Sequence, residues 1–241
     1  MSGHNKWSSI KHRKGAQDAK RSKVFSRIAK MLIVAAQQGG GDPETNSSLK
    51  LLIAQARKAN MPKDNIERAI KRGTGESGED VRFEEVTYEA MGPGGSAMII
   101  NCTTDNTNRA LTDVKIALKK NGGKFVPSGS VSYQFKKVGV ITVASDDLDE
   151  AELLAIDAGA VDVERVEDDK IIVFTKPSEL HSVQENLTNN ALKIESAELT
   201  YLPEQKVNLS EAELTSFEKL RDALDDVDDV QDIFDNVANE K

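Results

Sequence analysis

A glycine-rich break at residues 73–80 separates a part of the chain with helical periodicity from a part with strand periodicity. Before the break, apolar residues recur every three or four positions in the segments 22–40, 46–59 and 63–72, which predicts three helices. None of these helices is long enough to be stable alone, so we expect them to pack together as a helical domain at residues 1–75.

Beyond the break, residues 138–202 alternate strands and helices in the order β-α-β-β-α-β. This order is the split unit of a ferredoxin-like fold. The sequence therefore predicts one compact ferredoxin-like domain at residues 136–204.

The segments on either side of this unit predict a second sheet. Residues 82–135 read as two strands, a helix and a closing strand at residues 130–135, and a further helix opens with capping-box spacing at Ser210. The pattern at residues 227–238 fits either a helix or a strand. We favour a strand, because the preceding helix otherwise lacks a sheet to cover, and residues 82–135 plus 205–241 then form one domain.

These patterns together predict an α+β multidomain fold. The chain has 241 residues, which is long enough for more than one hydrophobic core. We expect an N-terminal three-helix domain followed by two α/β domains of the ferredoxin-like βαββαβ type, one inserted in the other.

Charge is distributed unevenly between these parts. Residues 1–75 carry 16 Lys and Arg against five Asp and Glu, a formal charge of +11. The remaining residues carry 16 against 35, a formal charge of −19, so that the whole chain is −8. The overall charge argues against a general polyanion binder, but the asymmetry indicates an anion-binding module attached to a body that repels the same anion.

The basic residues near the N-terminus form the main candidate site. Lys20, Lys23, Arg27 and Lys30 recur at steps of three and four, which places them on one flank of the first helix, roughly opposite its apolar stripe. Lys and Arg contact phosphates, His can donate to them, and Trp can stack on a base or dock the segment against the helices. The alternative is a solvated tail and helix face. The predicted nucleic-acid-binding residues are Lys6, Trp7, Lys11, His12, Arg13, Lys14, Lys20, Arg21, Lys23 and Arg27.

The break between the second and third helices also resembles a helix-turn-helix. Asn65, Arg68 and Arg72 share one face of the third helix in this interpretation. Asp64 and Glu67 lie beside them and disfavour contact with phosphates. Any two short helices with a proline between them show the same pattern, so the sequence leaves both alternatives open.

A polar segment at residues 105–109 leaves two interpretations open. Its residues are good cap and turn residues at the start of a helix. With the Gly-Pro turn at residues 92–95 it is alternatively a contact surface for a partner. The residues of that surface are Gly92, Gly94, Gly95, Asp105, Asn106, Asn108 and Arg109.

The sequence contains no pattern typical of an enzyme. No nucleophile is paired with a base, and neither a Walker motif nor a metal-ligand cluster is present, so we expect no catalysis, cofactor, metal or small-molecule substrate. Cys102 lies in an apolar run and is expected to be a buried strand thiol. The longest apolar run, residues 31–36, is too short for a membrane span, and no signal peptide is recognisable, so we expect a cytoplasmic protein.

The chain contains the motifs GHNKWSSIKHRKGAQDAKRSKVFSRI, GGGDPETN, ANMPKDNIERAIKRGTGE, YEAMGPGG, TTDNTNRA and GSVSYQF. These motifs resemble those of the YebC/PmpR family, which is also named for a mitochondrial translational activator of cytochrome c oxidase. The resemblance implies an N-terminal helical domain followed by two α/β domains, one partly inserted in the other. It also implies cytoplasmic, probable DNA-binding transcriptional regulators and, for some relatives, a translation role on the ribosome that includes relief of stalling at proline runs. The expected partner is therefore DNA, or ribosomal RNA or tRNA on a ribosome.

Overall fold

The computed structural model describes residues 21–78, 82–167 and 169–238. Within these ranges the chain forms seven α-helices and two four-stranded sheets. The described residues group into two compact units, one made of residues 21–135 and 203–238 and the other of residues 136–202. The elements are α1 (Arg21–Gly39), α2 (Ser47–Lys58), α3 (Lys63–Gly73), β1 (Glu84–Met91), β2 (Ala97–Thr104), α4 (Thr107–Lys120), β3 (Lys124–Val126), β4 (Phe135–Ala144), α5 (Leu148–Asp157), β5 (Asp162–Glu167), β6 (Lys170–Thr175), α6 (Leu180–Asn189), β7 (Lys193–Pro203), α7 (Glu211–Asp225) and β8 (Val230–Asp235).

The three predicted N-terminal helices are present and share one core. Leu32 of α1, Leu49 of α2 and Ile66 of α3 are all buried in it. The Asn46 side chain caps α2 by accepting from the backbone N–H of Leu49, and it donates to the carbonyl of Ala35 near the end of α1. One polar side chain therefore fixes the turn between the first two helices.

The close approach of α1 and α3 explains one of the glycines in the break. A Cβ at Gly73 would lie 2.5 Å from the carbonyl oxygen of Ile33 and 2.6 Å from the Cβ of Ala36. Any larger residue would push the end of α3 away from α1.

The first sheet has the strand order β3-β1-β2-β8, and its neighbouring strands pair antiparallel. Helices α4 and α7 cover it, and the core between them includes Met98, Ile100, Leu118 and Leu220. The ambiguous segment near the C-terminus is thus a strand, as favoured from the sequence, and the Ser210 capping box is present at the start of α7.

The prediction of a strand at residues 130–135 is wrong. The third strand is Lys124–Val126, and Ser132–Gln134 form a 3₁₀ turn before β4. The buried carboxylate of Glu89 accepts from the backbone N–H groups of Gly129, Val131 and Ser132 at 2.7, 2.7 and 3.1 Å. These donors are therefore taken by a side chain rather than by a neighbouring strand.

The same donors set the ionisation of Glu89. Burial opposes its ionisation, but the backbone hydrogen bonds outweigh burial, and the pKa of Glu89 lies below its usual value.

The second sheet has the strand order β5-β6-β4-β7, which is the order of a ferredoxin-like βαββαβ unit. Strand β6 pairs antiparallel with both β4 and β5. Helices α5 and α6 pack on one face, where Ala151, Ala155 and Val183 contact Ile141 and Ile171 in a shared core. The predicted α+β architecture is confirmed, while the domain boundaries drawn from the sequence stay a prediction.

Candidate nucleic-acid interface

Most of the predicted basic site lies outside the described residues. This applies to Lys6, Trp7, Lys11, His12, Arg13, Lys14 and Lys20. Arg21 is the first residue of α1, and Lys23 and Arg27 follow within the same helix. The structure therefore gives side-chain geometry for the end of the predicted site.

Helical spacing places Lys23, Arg27 and Lys30 on one flank of α1, whereas Ile28 and Leu32 point into the helical core. We call these three residues the basic flank. Their side chains are only 20, 12 and 14% exposed, in that order. The flank is therefore covered rather than free in water.

The covering element is an acidic turn between α7 and β8, which we define by Asp225, Asp226, Asp228 and Asp229. Lys23 Nζ lies 2.8 Å from Asp225 Oδ2, and Arg27 Nη2 lies 2.7 Å from Asp225 Oδ1. Lys23 also lies 3.3 Å from a carboxylate oxygen of Asp226. One flank of the N-terminal helix is thus paired with the end of the C-terminal helix.

Backbone carbonyls of the same region add to this pairing. Arg27 donates to the carbonyl of Asp225, the last residue of α7, and to that of Val230 at 3.1 and 3.2 Å. Lys30 donates to the carbonyl of Asp228 at 2.7 Å. Cations at a helix C-terminus interact favourably with its unpaired carbonyls and its dipole, so the basic flank also caps α7.

Asp229 is the most buried carboxylate of the acidic turn, with a side chain only 4% exposed. It accepts from Lys30 Nζ at 2.7 Å, from Thr104 Oγ1 at 2.9 Å and from Arg109 Nη2 at 2.8 Å. Burial opposes its ionisation, but the hydrogen bonds from Lys30 and Arg109 outweigh burial and hold its pKa below the usual value.

The pKa of Asp225 is lowered in the same way. Burial again opposes ionisation, and the hydrogen bonds from Lys23 and Arg27 outweigh it.

Cys102 is buried in β2 as expected, and burial together with the nearby Asp229 charge raises the pKa of its thiol to about 12. The thiol is therefore protonated and unreactive at neutral pH.

The two halves of the predicted partner-contact surface are not brought together. The turn containing Gly92, Gly94 and Gly95 precedes β2, whereas Asp105 follows it, so they lie at opposite ends of a strand about 25 Å long. Gly94 has φ of 63°, and a Cβ there would lie 2.3 Å from Leu209. The glycines are accounted for by this tight turn.

The other half of that surface has structural partners. Asn106 caps α4 by accepting from the backbone N–H of Arg109 at 3.0 Å. Arg109 also donates to Asp105 at 2.7 Å and to Asp229. Asn108 is exposed, and its carbonyl accepts from Thr112. The cap interpretation of this segment therefore agrees with the geometry.

Helices α2 and α3 are joined by a four-residue turn in which Asn60 has φ of 60°. On α3, Arg68 is exposed, while Asn65 and Arg72 are half-buried. Asp64 and Glu67 are exposed on the same helix. The exposed basic residues Lys63, Arg68 and Lys71 are interleaved with these two carboxylates, and Lys63 pairs with Glu67 at 3.3 Å, so α3 offers a poor face for reading bases.

Sequence reasoning missed the acidic turn. Its four aspartates lie within five positions at the end of a predicted helix, and this clustering was the available signal. Spacing along the chain gives no indication that they meet residues about 200 positions earlier.

In the described part of the chain, no group of three or more His, Cys, Asp or Glu side chains is placed to hold a metal ion. Every helix there is too short or too polar to span a membrane.

Two family models match the chain. A TACO1/YebC protein N-terminal domain matches residues 5–76, and a TACO1/YebC second and third domain matches residues 83–237. Together these matches cover both the helical part and the two sheets.

Similar proteins match this chain over nearly its whole length. A "Probable transcriptional regulatory protein" of Fervidobacterium nodosum is 49% identical, over 98% of this chain and 93% of its own. One with the same name from Persephonella marina is 48% identical, over 98% and 95%. A crystal structure of a conserved hypothetical protein from Aquifex aeolicus is 42% identical and covers 93% of both chains with a TM-score of 0.78. The chain therefore belongs to the TACO1/YebC family.

Proposed function

We propose that this protein is a non-enzymatic, nucleic-acid-binding regulator of gene expression that acts on DNA as a transcriptional regulator. The observation that carries the proposal is the charge asymmetry of the chain, with six Lys and Arg against one Asp at residues 6–21 and a formal charge of +11 on residues 1–75. The names of the relatives, probable transcriptional regulatory proteins, agree with it.

The binding chemistry is neutralisation of phosphates by lysine and arginine. This contribution to affinity is independent of sequence, and because it releases condensed counterions it falls steeply with salt. The unfavourable face of α3 supplies little base readout, so we expect modest discrimination between DNA sequences. Lys23 and Arg27 contact phosphate only when the polyanion replaces Asp225 and Asp226 as their partner.

Charge reversal tests the proposal. Replacing Lys11, Arg13, Lys14, Lys20 and Arg21 by Glu should abolish binding to a 30-base-pair duplex, measured by fluorescence anisotropy at several salt concentrations. The wild-type slope of log affinity against log salt is about −0.9 for each phosphate neutralised.

A matched control reverses the same number of charges elsewhere. Lys119, Lys120, Lys136, Lys193 and Lys206 are exposed, and the structure gives none of them a carboxylate partner within its described part. Their replacement by Glu should leave most of the affinity. Equal loss in both variants would refute the assignment to the N-terminal segment, because net charge alone would then explain binding.

A second candidate function is a ribosome-associated translation factor that relieves stalling at proline runs. The charge of −19 on residues 76–241 favours it, because such a body is repelled by a long duplex but tolerated when only a basic segment enters a phosphate-lined cleft.

The two functions are separated by comparing intact ribosomes with promoter and scrambled duplexes at physiological salt. Codon-resolved ribosome occupancy in cells lacking the protein completes the test. Preference for promoter DNA by orders of magnitude, with unchanged occupancy at proline runs, supports transcription. Equal, salt-labile binding to both duplexes with new pauses at proline runs supports translation.

A further inference from the structure

The ferredoxin-like unit carries exposed apolar side chains beside its first helix. Leu153 and Ile156 of α5 are 65 and 60% exposed, and Val161, four residues beyond the helix, is 55% exposed. Leu153 and Ile156 are three residues apart, so they lie on the same side of α5. The side that packs on the sheet is formed by Ala151 and Ala155, which are fully buried. We call Leu153, Ile156 and Val161, together with the carboxylates of Glu150 and Asp157 on the same helix, the α5 surface.

Packing within the unit does not account for these side chains. The shared core of the unit contains Ala151, Ala155 and Leu187 but neither Leu153 nor Ile156. Single exposed leucines are ordinary in proteins, but two large apolar residues on the outer side of a ten-residue helix form a small contiguous patch.

The chain segment that carries this patch is strongly acidic. Residues 146–169 contain eleven Asp and Glu against a single basic residue, Arg165. Arg165 pairs with Asp149 and Glu152. Glu150 and Asp157 lie on the same helix, and within the described ranges no basic side chain pairs with either of them. Glu150 and Asp157 are thus exposed carboxylates, on the same helix as the patch, that are available to cations from another molecule.

We propose that the α5 surface docks a basic amphipathic segment of a partner protein. Leu153, Ile156 and Val161 lose their contact with water against apolar side chains of that segment, and its lysines and arginines pair with the surrounding carboxylates. The same charge repels nucleic acid, and it repels the identical surface of a second copy. A protein segment of opposite charge is the complementary occupant.

A designed peptide provides the probe. An 18-residue helical peptide with Leu at every third or fourth position and Lys elsewhere presents one apolar and one basic face. A scrambled peptide of the same composition retains the charge but presents no apolar face. We expect the full-length protein to bind the first peptide at least about tenfold more tightly than the second, by fluorescence anisotropy at physiological salt.

Substitutions then assign binding to this surface. Leu153→Ser and Ile156→Ser should each weaken binding of the amphipathic peptide about tenfold, and Glu150→Lys should weaken it as well. Leu199→Ser and Glu185→Lys are matched controls, since both side chains are exposed in the same unit but lie on β7 and α6. These controls should bind as wild type does, and circular dichroism checks that every variant is folded.

Three results would overturn the proposal. Equal binding of both peptides would show attraction by charge alone. Self-association of the wild type that Leu153→Ser abolishes would identify a second copy as the occupant. Tighter peptide binding after Lys11, Arg13 and Lys14 are replaced by Gln, but not after Lys119, Lys136 and Lys206 are replaced by Gln, would identify the chain's own basic segment. Because the peptide contains no phosphate, none of these results depends on whether the chain binds nucleic acid.

Discussion

The acidic turn and the α5 surface are both rich in carboxylates, yet they have opposite surroundings. The acidic turn meets Lys23, Arg27 and Lys30, and Asp229 within it is almost fully buried. On α5, by contrast, Glu150 and Asp157 have no basic partner among the described residues. The first cluster is part of the packing of its unit, whereas the second remains available to another molecule. Local composition is therefore a poor guide to the role of an acidic segment, because the role depends on where the cations lie.

The largest expected effect is on the free energy of unfolding, and it distinguishes the buried acidic turn from the exposed carboxylates of α5. Asp229→Ala leaves Lys30 without its carboxylate partner in a region where its side chain is 14% exposed. We expect a loss of about 3 kcal/mol in the free energy of unfolding, because removing one member of a buried pair leaves the other charge unpaired. Urea denaturation measures the loss. Asp157→Ala, at an exposed position on α5, is the control and should change stability by less than about 0.5 kcal/mol.

Acid should act selectively on the acidic turn. The pKa values of Asp225 and Asp229 are lower in the folded state than in the unfolded chain, so both groups stabilise the fold at neutral pH. This stabilisation is present above the unfolded value of about 3.9 and is lost as pH falls through the lower folded values. The urea midpoint of the wild type should therefore fall below about pH 4.

The Asp229→Asn variant checks the cause of that acid sensitivity. It lacks one of the two titrating carboxylates, so the stability difference between it and the wild type should shrink as pH falls. A constant difference between pH 7 and pH 2 would show that Asp229 does not stabilise the fold through its charge.

The contrast between the two acidic regions also shows which features of the structure can be predicted from the sequence and which cannot. Hydrophobic periods and caps are local, so they predict the three helices, the ferredoxin-like unit and the Ser210 capping box, all of which the structure contains. The Glu89 interaction with residues 129–132 and the pairing of α1 with the acidic turn join positions about 40 and 200 apart. Neither leaves a periodic signal in the sequence, which is why the sequence predicts a strand at residues 130–135 and does not indicate that Lys23 and Arg27 are covered.

A smaller effect concerns competition for the basic flank. Asp225→Asn removes the carboxylate that pairs with Lys23 and Arg27, so polyanion affinity should rise, by up to about fivefold for a partly exposed ion pair. Asp222→Asn, one turn earlier on α7 and exposed, makes the same change of charge and should have little effect. Anisotropy titrations with one duplex compare the two variants. An equal rise in both would indicate a general charge effect, without displacement of Asp225.

The smallest expected effect is on the free energy of unfolding of the protein when the apolar residues of the α5 surface are truncated. Leu153→Ala combined with Ile156→Ala removes two side chains that are more than half exposed and lie outside the shared core. Alanine favours helix at least as well as leucine and isoleucine, so the free energy of unfolding should change by less than about 0.5 kcal/mol. Urea denaturation of the full-length double variant measures this. A loss above about 2 kcal/mol, typical of truncated core residues, would mean that these side chains pack within the protein. They would then be unavailable to a docking segment, whereas unchanged stability with lost peptide binding separates recognition from folding.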